Sequence, residues 1–238
     1  RDDPKEFKTL HTEDYNFNRI HNNDNFNKIR VQMLDGKRPD VCTRCWDKED
    51  AGLDSKRTID SRKLNFTEEK AREITNNDGS INEVSYEFIE LRLGNHCNLA
   101  CRTCNPISSS RWKKDWQKAN FDERLILPQK LMDWPLDSLF WDSLEHYVKD
   151  LRVLYINGGE PLLIDKHKDF LYKLVDMGVA KNVEIVYSTN VTIINHEYED
   201  AWKEFKKVQI MLSLDDVGDR NNYVRHLSKW NKVLDTFD

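Results

Sequence analysis

From Tyr86 onward, apolar and polar positions follow a regular rhythm. Ile89, Leu91 and Leu93 alternate with Glu90 and Arg92, the period of two that gives a strand one apolar and one polar face. Apolar runs predict further strands at about 152–156, 183–188 and 208–214. Between and after them, helical spacing predicts helices at about 109–119, 136–148, 167–177, 196–205 and 227–236, with Gly178 closing the third. Strands alternating with helices imply βαβ units, hence an α/β fold with a parallel sheet and right-handed crossovers. A fully covered parallel sheet reads as nearly continuous apolar runs. Glu90 and Arg92 therefore fit either a polar-lined cavity or a solvated face, and the pattern weighs the two equally.

Before Tyr86 the rhythm is different. Residues 11–27 are rich in Asn, Asp and His, with Phe17, Ile20 and Phe26 as the large apolar anchors. A loop-like segment is expected there, followed by a short helix at 26–34 that Gly36 and Pro39 end. Thr67 has the character of an N-cap for a helix to about residue 75, and Asn76-Asn77-Asp78-Gly79 of a turn. The expected division is a small, irregular, cysteine-containing segment at 1–84 and an α/β domain at 85–238.

Composition narrows the classes. One third of the 238 residues are charged and the mean hydropathy is −0.79. No apolar run approaches the roughly 20 residues of a membrane span. The net charge of −5 argues against bulk attraction to nucleic acid. Five cysteines fall in two clusters, a distribution that suits metal binding in a reducing, cytoplasmic setting better than disulfides. The chain opens on Arg1 without an initiator Met and stops just after a helical pattern, so both ends are expected to be cut from something longer.

The chemistry concentrates in Leu93-Gly94-Asn95-His96-Cys97-Asn98-Leu99-Ala100-Cys101-Arg102-Thr103-Cys104, directly after the first predicted strand. Four-iron clusters are normally held by four thiolates. A trio with no fourth member nearby leaves an iron open, and open metal positions are where substrates and cofactors bind. Half a zinc site or buried structural cysteines are the blander readings. Three later strand ends carry Asn157-Gly158-Gly159-Glu160-Pro161, Ser188-Thr189-Asn190 and Ser213-Leu214-Asp215. Ligands bind at that end of parallel strands, and glycines there allow close approach to the backbone. A Rossmann-type nucleotide fold would instead place a Gly-rich turn after its first strand, where this chain has cysteines.

The cysteine trio, GGEP, STN and SLD, in that order, resemble the radical S-adenosylmethionine (SAM) superfamily over about residues 86–238. The resemblance implies a partial parallel (β/α) barrel, with two further strands beyond Asp238. It implies a 4Fe-4S cluster on Cys97, Cys101 and Cys104 whose open iron chelates SAM. Gly158, Gly159 and Glu160 would hold the SAM amino group, and Ser188, Asn190, Ser213 and Asp215 its ribose and carboxylate, with Arg225 near that carboxylate. Thr103 departs from the pattern, since related enzymes have an aromatic residue there against adenine. The implied reaction is reductive cleavage of SAM, with electrons from a donor such as flavodoxin or ferredoxin, to a 5′-deoxyadenosyl radical that abstracts hydrogen from a substrate. A peptide or protein substrate is implied by analogy. The rival reading is a non-catalytic iron–sulfur or zinc-binding module.

Residues Phe26 through Gly36, Pro39, Cys42 and Cys45 resemble part of the SPASM or twitch modules, which carry auxiliary clusters but usually follow the barrel. Cys42 and Cys45 would then ligate a second iron–sulfur cluster, with its missing ligands upstream of Arg1. The alternatives are half a zinc ribbon or a redox CxxC. The latter belongs at the start of a helix beside a βαβ unit, and no such helix is predicted here.

Overall fold

The computed structural model describes residues 15–194 and 196–236. The chain divides into two compact units between Ser85 and Tyr86.

The first unit is helical: α1 (Phe17–His21), α2 (Asp24–Leu34), α3 (Thr43–Asp50), α4 (Lys56–Leu64) and α5 (Glu68–Ile74). The Asn-rich segment, expected to be a loop, caps helices instead. Asn16 accepts from Arg19 N–H, and Asn23 accepts from the Asn25 and Phe26 amides, as an N-cap side chain should. Residues 11–14 of that segment lie outside the described residues. Ser55 and Thr58 form a reciprocal capping box on α4, a helix the apolar pattern did not predict. Thr67 caps α5 as expected, through Lys70 N–H. The turn at 76–79 closes with Gly79 N–H donating to Asn76 O, and Thr75 bridges Ile81. Arg30 holds this turn to α1, donating to Gly79 O at 2.7 Å and His21 O at 2.5 Å. None of the five helices has a fully buried residue.

The second unit is mixed α/β around four parallel strands: β1 (Phe88–Leu93), β2 (Val153–Gly158), β3 (Glu184–Thr189) and β4 (Lys207–Leu212), in the order β1-β2-β3-β4. Between β1 and β2 lie α6 (Lys113–Lys118), α7 (Gln129–Met132) and α8 (Ser138–Leu144). Next, α9 (Asp165–Asp176) links β2 to β3, and α10 (His196–Trp202) links β3 to β4. Then α11 (Gly218–Val224) and α12 (Trp230–Leu234) follow β4. Strands added always on the same side, with right-handed crossovers, bring their helices to one face. The sequential order has no reversal point of the doubly wound kind.

Leu91, Leu93, Leu154, Ile156, Ile185 and Tyr187 from the strands and Trp141, Leu144, Phe170, Leu171 and Leu174 from α8 and α9 are all buried and make up much of the core. The opposite face is polar and open. Glu90 and Arg92 are exposed, Asn157 donates to Glu90 at 3.1 Å and Tyr155 bonds Ser188 at 2.9 Å. In an open four-stranded sheet this exposed polar face fits both readings that the alternation allowed. On β4, Met211 and Leu212 are exposed.

The predicted last helix is shorter than its pattern, and α11 was not predicted at all. Its Gly start and Asn pair have poor helix propensity, but Asn221 anchors it by accepting from Asp215 N–H. No helix among the described residues is long and apolar enough to cross a membrane.

Candidate functional site

The cysteine loop leaves the end of β1 and is fixed by its own backbone. Ser109 donates to Leu99 O at 2.6 Å, Asn95 to Pro106 O at 2.7 Å and Trp112 to Cys101 O at 2.9 Å. A second segment, far along the chain, clamps it from outside. Ala100 N–H donates to His226 O and Arg102 N–H to Val224 O. The Arg102 guanidinium donates to Tyr223 O at 2.9 Å and lies 4.1 Å over the Tyr223 ring. Cys101 is buried, and Cys97 and Cys104 are half-buried.

The β2 tip packs against this loop. Glu160 N–H donates to His96 O at 2.7 Å and Gly159 N–H to Gly94 O. A Cβ on Gly159 would overlap the His96 carbonyl, and one on Gly158, at φ +127°, would overlap the backbone of Leu93. The glycine pair therefore lets two backbone segments meet, so that the Glu160 side chain sits directly behind the loop.

Glu160 is 1% exposed. One carboxylate oxygen accepts from Thr189 Oγ1 at 2.7 Å and Leu162 N–H at 3.2 Å, the other from Asn190 N–H at 2.8 Å. Burial raises its pKa, while those hydrogen bonds and the charge of Arg225 oppose the rise. An ionised carboxylate offers about four acceptor sites; three are taken, which leaves room for one more donor. Thr189, which the sequence reading passed over for its neighbours, is thus the β3 residue that meets Glu160.

Asn190 extends the network to the cysteines. Its amide donates to Asn98 at 2.9 Å and lies 3.9 Å from Cys97 Sγ. Asn98 in turn donates to Thr192 at 2.7 Å. On the far side, Arg225 Nη1 is 3.9 Å from Cys101 Sγ and its Nε is 2.9 Å from Asp215 Oδ2. Ser188 lies apart, on the polar face of the sheet with Tyr155. Ser213 joins through its backbone, donating to Thr189 O at 2.8 Å. The structure thus links Cys97, Cys101, Cys104, Glu160, Asn190, Asp215 and Arg225 in one neighbourhood.

The thiols differ within it. A hydrogen bond from Cys101, aided by Arg225 and Thr103, lowers the Cys104 pKa. The same bond, together with burial, raises Cys101. Burial raises Cys97. His96 points elsewhere, 2.7 Å from Asp133.

In the first unit, Cys42 stands at the N-cap of α3 and Cys45 three residues on, both half-buried. A helix therefore does start at this CxxC, contrary to expectation, although the unit around it is helical rather than βαβ. Burial and Cys45 raise the Cys42 thiol, and Arg57 partly offsets them.

Among the described residues, no three His, Cys, Asp or Glu side chains gather as a site for a single metal ion. A single zinc draws thiolates to about 2.3 Å from one point, whereas a cluster spreads its thiolates over different irons. The all-thiol donor set of the loop is soft, the character that selects Fe–S clusters or zinc, and the N–H groups of Asn190 and Arg225 beside two sulfurs suit a cluster's ligands. Comparison with protein-family models, curated proteins and solved structures finds no match for this chain.

Proposed function

We propose that the second unit is a radical SAM enzyme core, part of a (β/α) barrel, with Cys97, Cys101 and Cys104 holding three irons of a 4Fe-4S cluster. The observation that carries this reading is a rigid loop with three thiols and no fourth, packed against the tips of β2 and β3 with a buried carboxylate behind it. Reduced by a donor of the flavodoxin or ferredoxin kind, such a cluster supplies the electron that cleaves SAM to methionine and a 5′-deoxyadenosyl radical, which takes hydrogen from a substrate, here a peptide or protein by analogy.

The chain's own residues do the positioning. Glu160 offers its spare acceptor site to the SAM ammonium, a cation that suits a buried carboxylate. Asn190 and Arg225 donate toward Cys97 and Cys101, and Asp215 keeps Arg225 in place. Ser213, bonded through its backbone to Thr189, and Ser188, on the polar face beside Tyr155, would serve the ribose and carboxylate. An auxiliary cluster on Cys42 and Cys45 would need two further thiolates, which the resemblance puts upstream of Arg1.

The experiment is anaerobic reconstitution of the full chain with iron and sulfide, followed by a strong reductant and SAM. About four irons per chain and release of 5′-deoxyadenosine are expected, both lost in Cys101→Ala. Glu160→Gln should keep the iron and weaken SAM binding. A colourless, zinc-loaded protein that releases no 5′-deoxyadenosine would replace this reading with the non-catalytic zinc module.

A further inference from the structure

Cys42 and Cys45 are left unused by the proposed reaction, and both are half-buried at the start of α3. Pro39 leads into a 3₁₀ turn at Asp40–Cys42, and α3 begins at Thr43. Residues three apart on a helix face the same side. Cys42 ends the 3₁₀ turn that runs directly into α3, so near-helical rise and radius put the two Cα atoms about 5 Å apart, inside the roughly 4.4–6.8 Å window of a disulfide. Trp46, next in sequence, donates to Pro39 O at 3.0 Å and so ties the helix to the turn before it.

Beside the pair is a fixed cation. Arg57 lies 4.7 Å over the Trp46 ring, and Glu49 holds its guanidinium by two hydrogen bonds. Ser55, fully buried, holds Glu49 in turn at 2.5 Å. Burial and Cys45 raise the Cys42 thiol, and the charge of Arg57 offsets part of that rise, toward the thiolate that attacks in exchange. No third metal-binding side chain joins the two thiols among the described residues. A disulfide needs no third.

We infer that Cys42 and Cys45 form a reversible disulfide, a thiol–disulfide exchange site whose co-reactant is a low-molecular-weight disulfide of the glutathione type. One cysteine thiolate attacks a sulfur of that disulfide; the S–S bond breaks and the first small thiol leaves. The other cysteine then attacks the mixed disulfide, closes the Cys42–Cys45 bond and releases the second small thiol. Two electrons and two protons pass from the cysteine pair to the two released thiols. The bridge locks the turn onto α3 in a unit that has little apolar core to do so.

The test is equilibration of the reduced full chain, without oxygen, in buffers of rising oxidised-to-reduced glutathione ratio, then alkylation and peptide mass analysis. The expected result is an intramolecular bridge in the peptide carrying Cys42 and Cys45, reversed by excess reduced glutathione. Cys42→Ser or Cys45→Ser should stop at the mixed disulfide. Arg57→Met should slow closure severalfold while circular dichroism shows retained helix. Alkylation of both thiols at every ratio, or a bridge from either to Cys97, Cys101 or Cys104, would overturn the inference. So would iron or zinc that copurifies with the chain and is lost on Cys42→Ser. None of these outcomes depends on whether the second unit cleaves SAM.

Discussion

The two units reach their folds by different physics. From Tyr86 on, the sheet and its helices bury large apolar side chains completely, including Leu154, Ile156, Leu171 and Ile185 at 0% exposure. Up to Ser85, Val84 is the one described large apolar side chain in the buried core. There the fold rests on side chains that satisfy backbone ends: Asn16, Asn23, Ser55 and Thr67 at helix starts, Arg30 and Asn22 across loops. Apolar burial is non-directional and additive with area, whereas caps and loop hydrogen bonds are local and depend on geometry. One unit should resist the loss of any single polar contact; the other should come apart in pieces.

The sharpest way to break that contrast is matched truncation. Ile156→Ala should cost about 4 kcal/mol, since it empties a site with no solvent access. Ile59→Ala, at a position 49% exposed, should cost under about 1 kcal/mol. Urea unfolding followed by probes in each unit measures both, and equal losses would remove the distinction.

Acid provides the next test. His167 is fully buried between Tyr187 and Tyr198, 2.7 Å from the first and 3.4 Å from the second, and burial lowers its pKa to about 3. The unfolded chain, with an ordinary His near 6.5, binds the proton more readily than the folded one. Stability contributed by the neutral ring is therefore complete above about pH 6.5 and falls as pH drops toward 3. Between pH 6.5 and 4.5 the second unit should lose about 2.5 kcal/mol, and His167→Leu should flatten this slope. An unchanged slope in the variant would show that the buried ring does not set the acid response.

The most local effect belongs to a cap in the first unit. Ser55→Ala should cost about 1 kcal/mol and appear as faster amide hydrogen exchange confined to α4 and its neighbours. Faster exchange in β2 or β3 as well would mean that the two units do not open independently.

The strands were legible because a period of two is written directly in residues such as Ile89, Leu91 and Leu93. The helices α3 and α4 were not, because neither carries a wide apolar stripe: α3 starts without a side-chain cap, and the Ser55–Thr58 box that starts α4 is visible only when sought. At the site, the three cysteines announced themselves by spacing. Gly159 was legible as a close approach, although the group that approaches is the His96 carbonyl. Thr189 was hidden because strand alternation turns Ser188 to the polar face and its neighbour toward Glu160, and only register reveals which is which.

The clamp on the cysteine loop has a consequence in time. Arg102 and Cys101 meet Tyr223 and Arg225 across sequence separations of 121 and 124 residues. A ribosome adds about 5–20 residues per second, so roughly 6–25 s separate the synthesis of the loop from that of its clamp. During nascent-chain growth the three thiols emerge before the guanidinium and the carbonyls that order them. That interval is when the thiols are most accessible, to an oxidant above all.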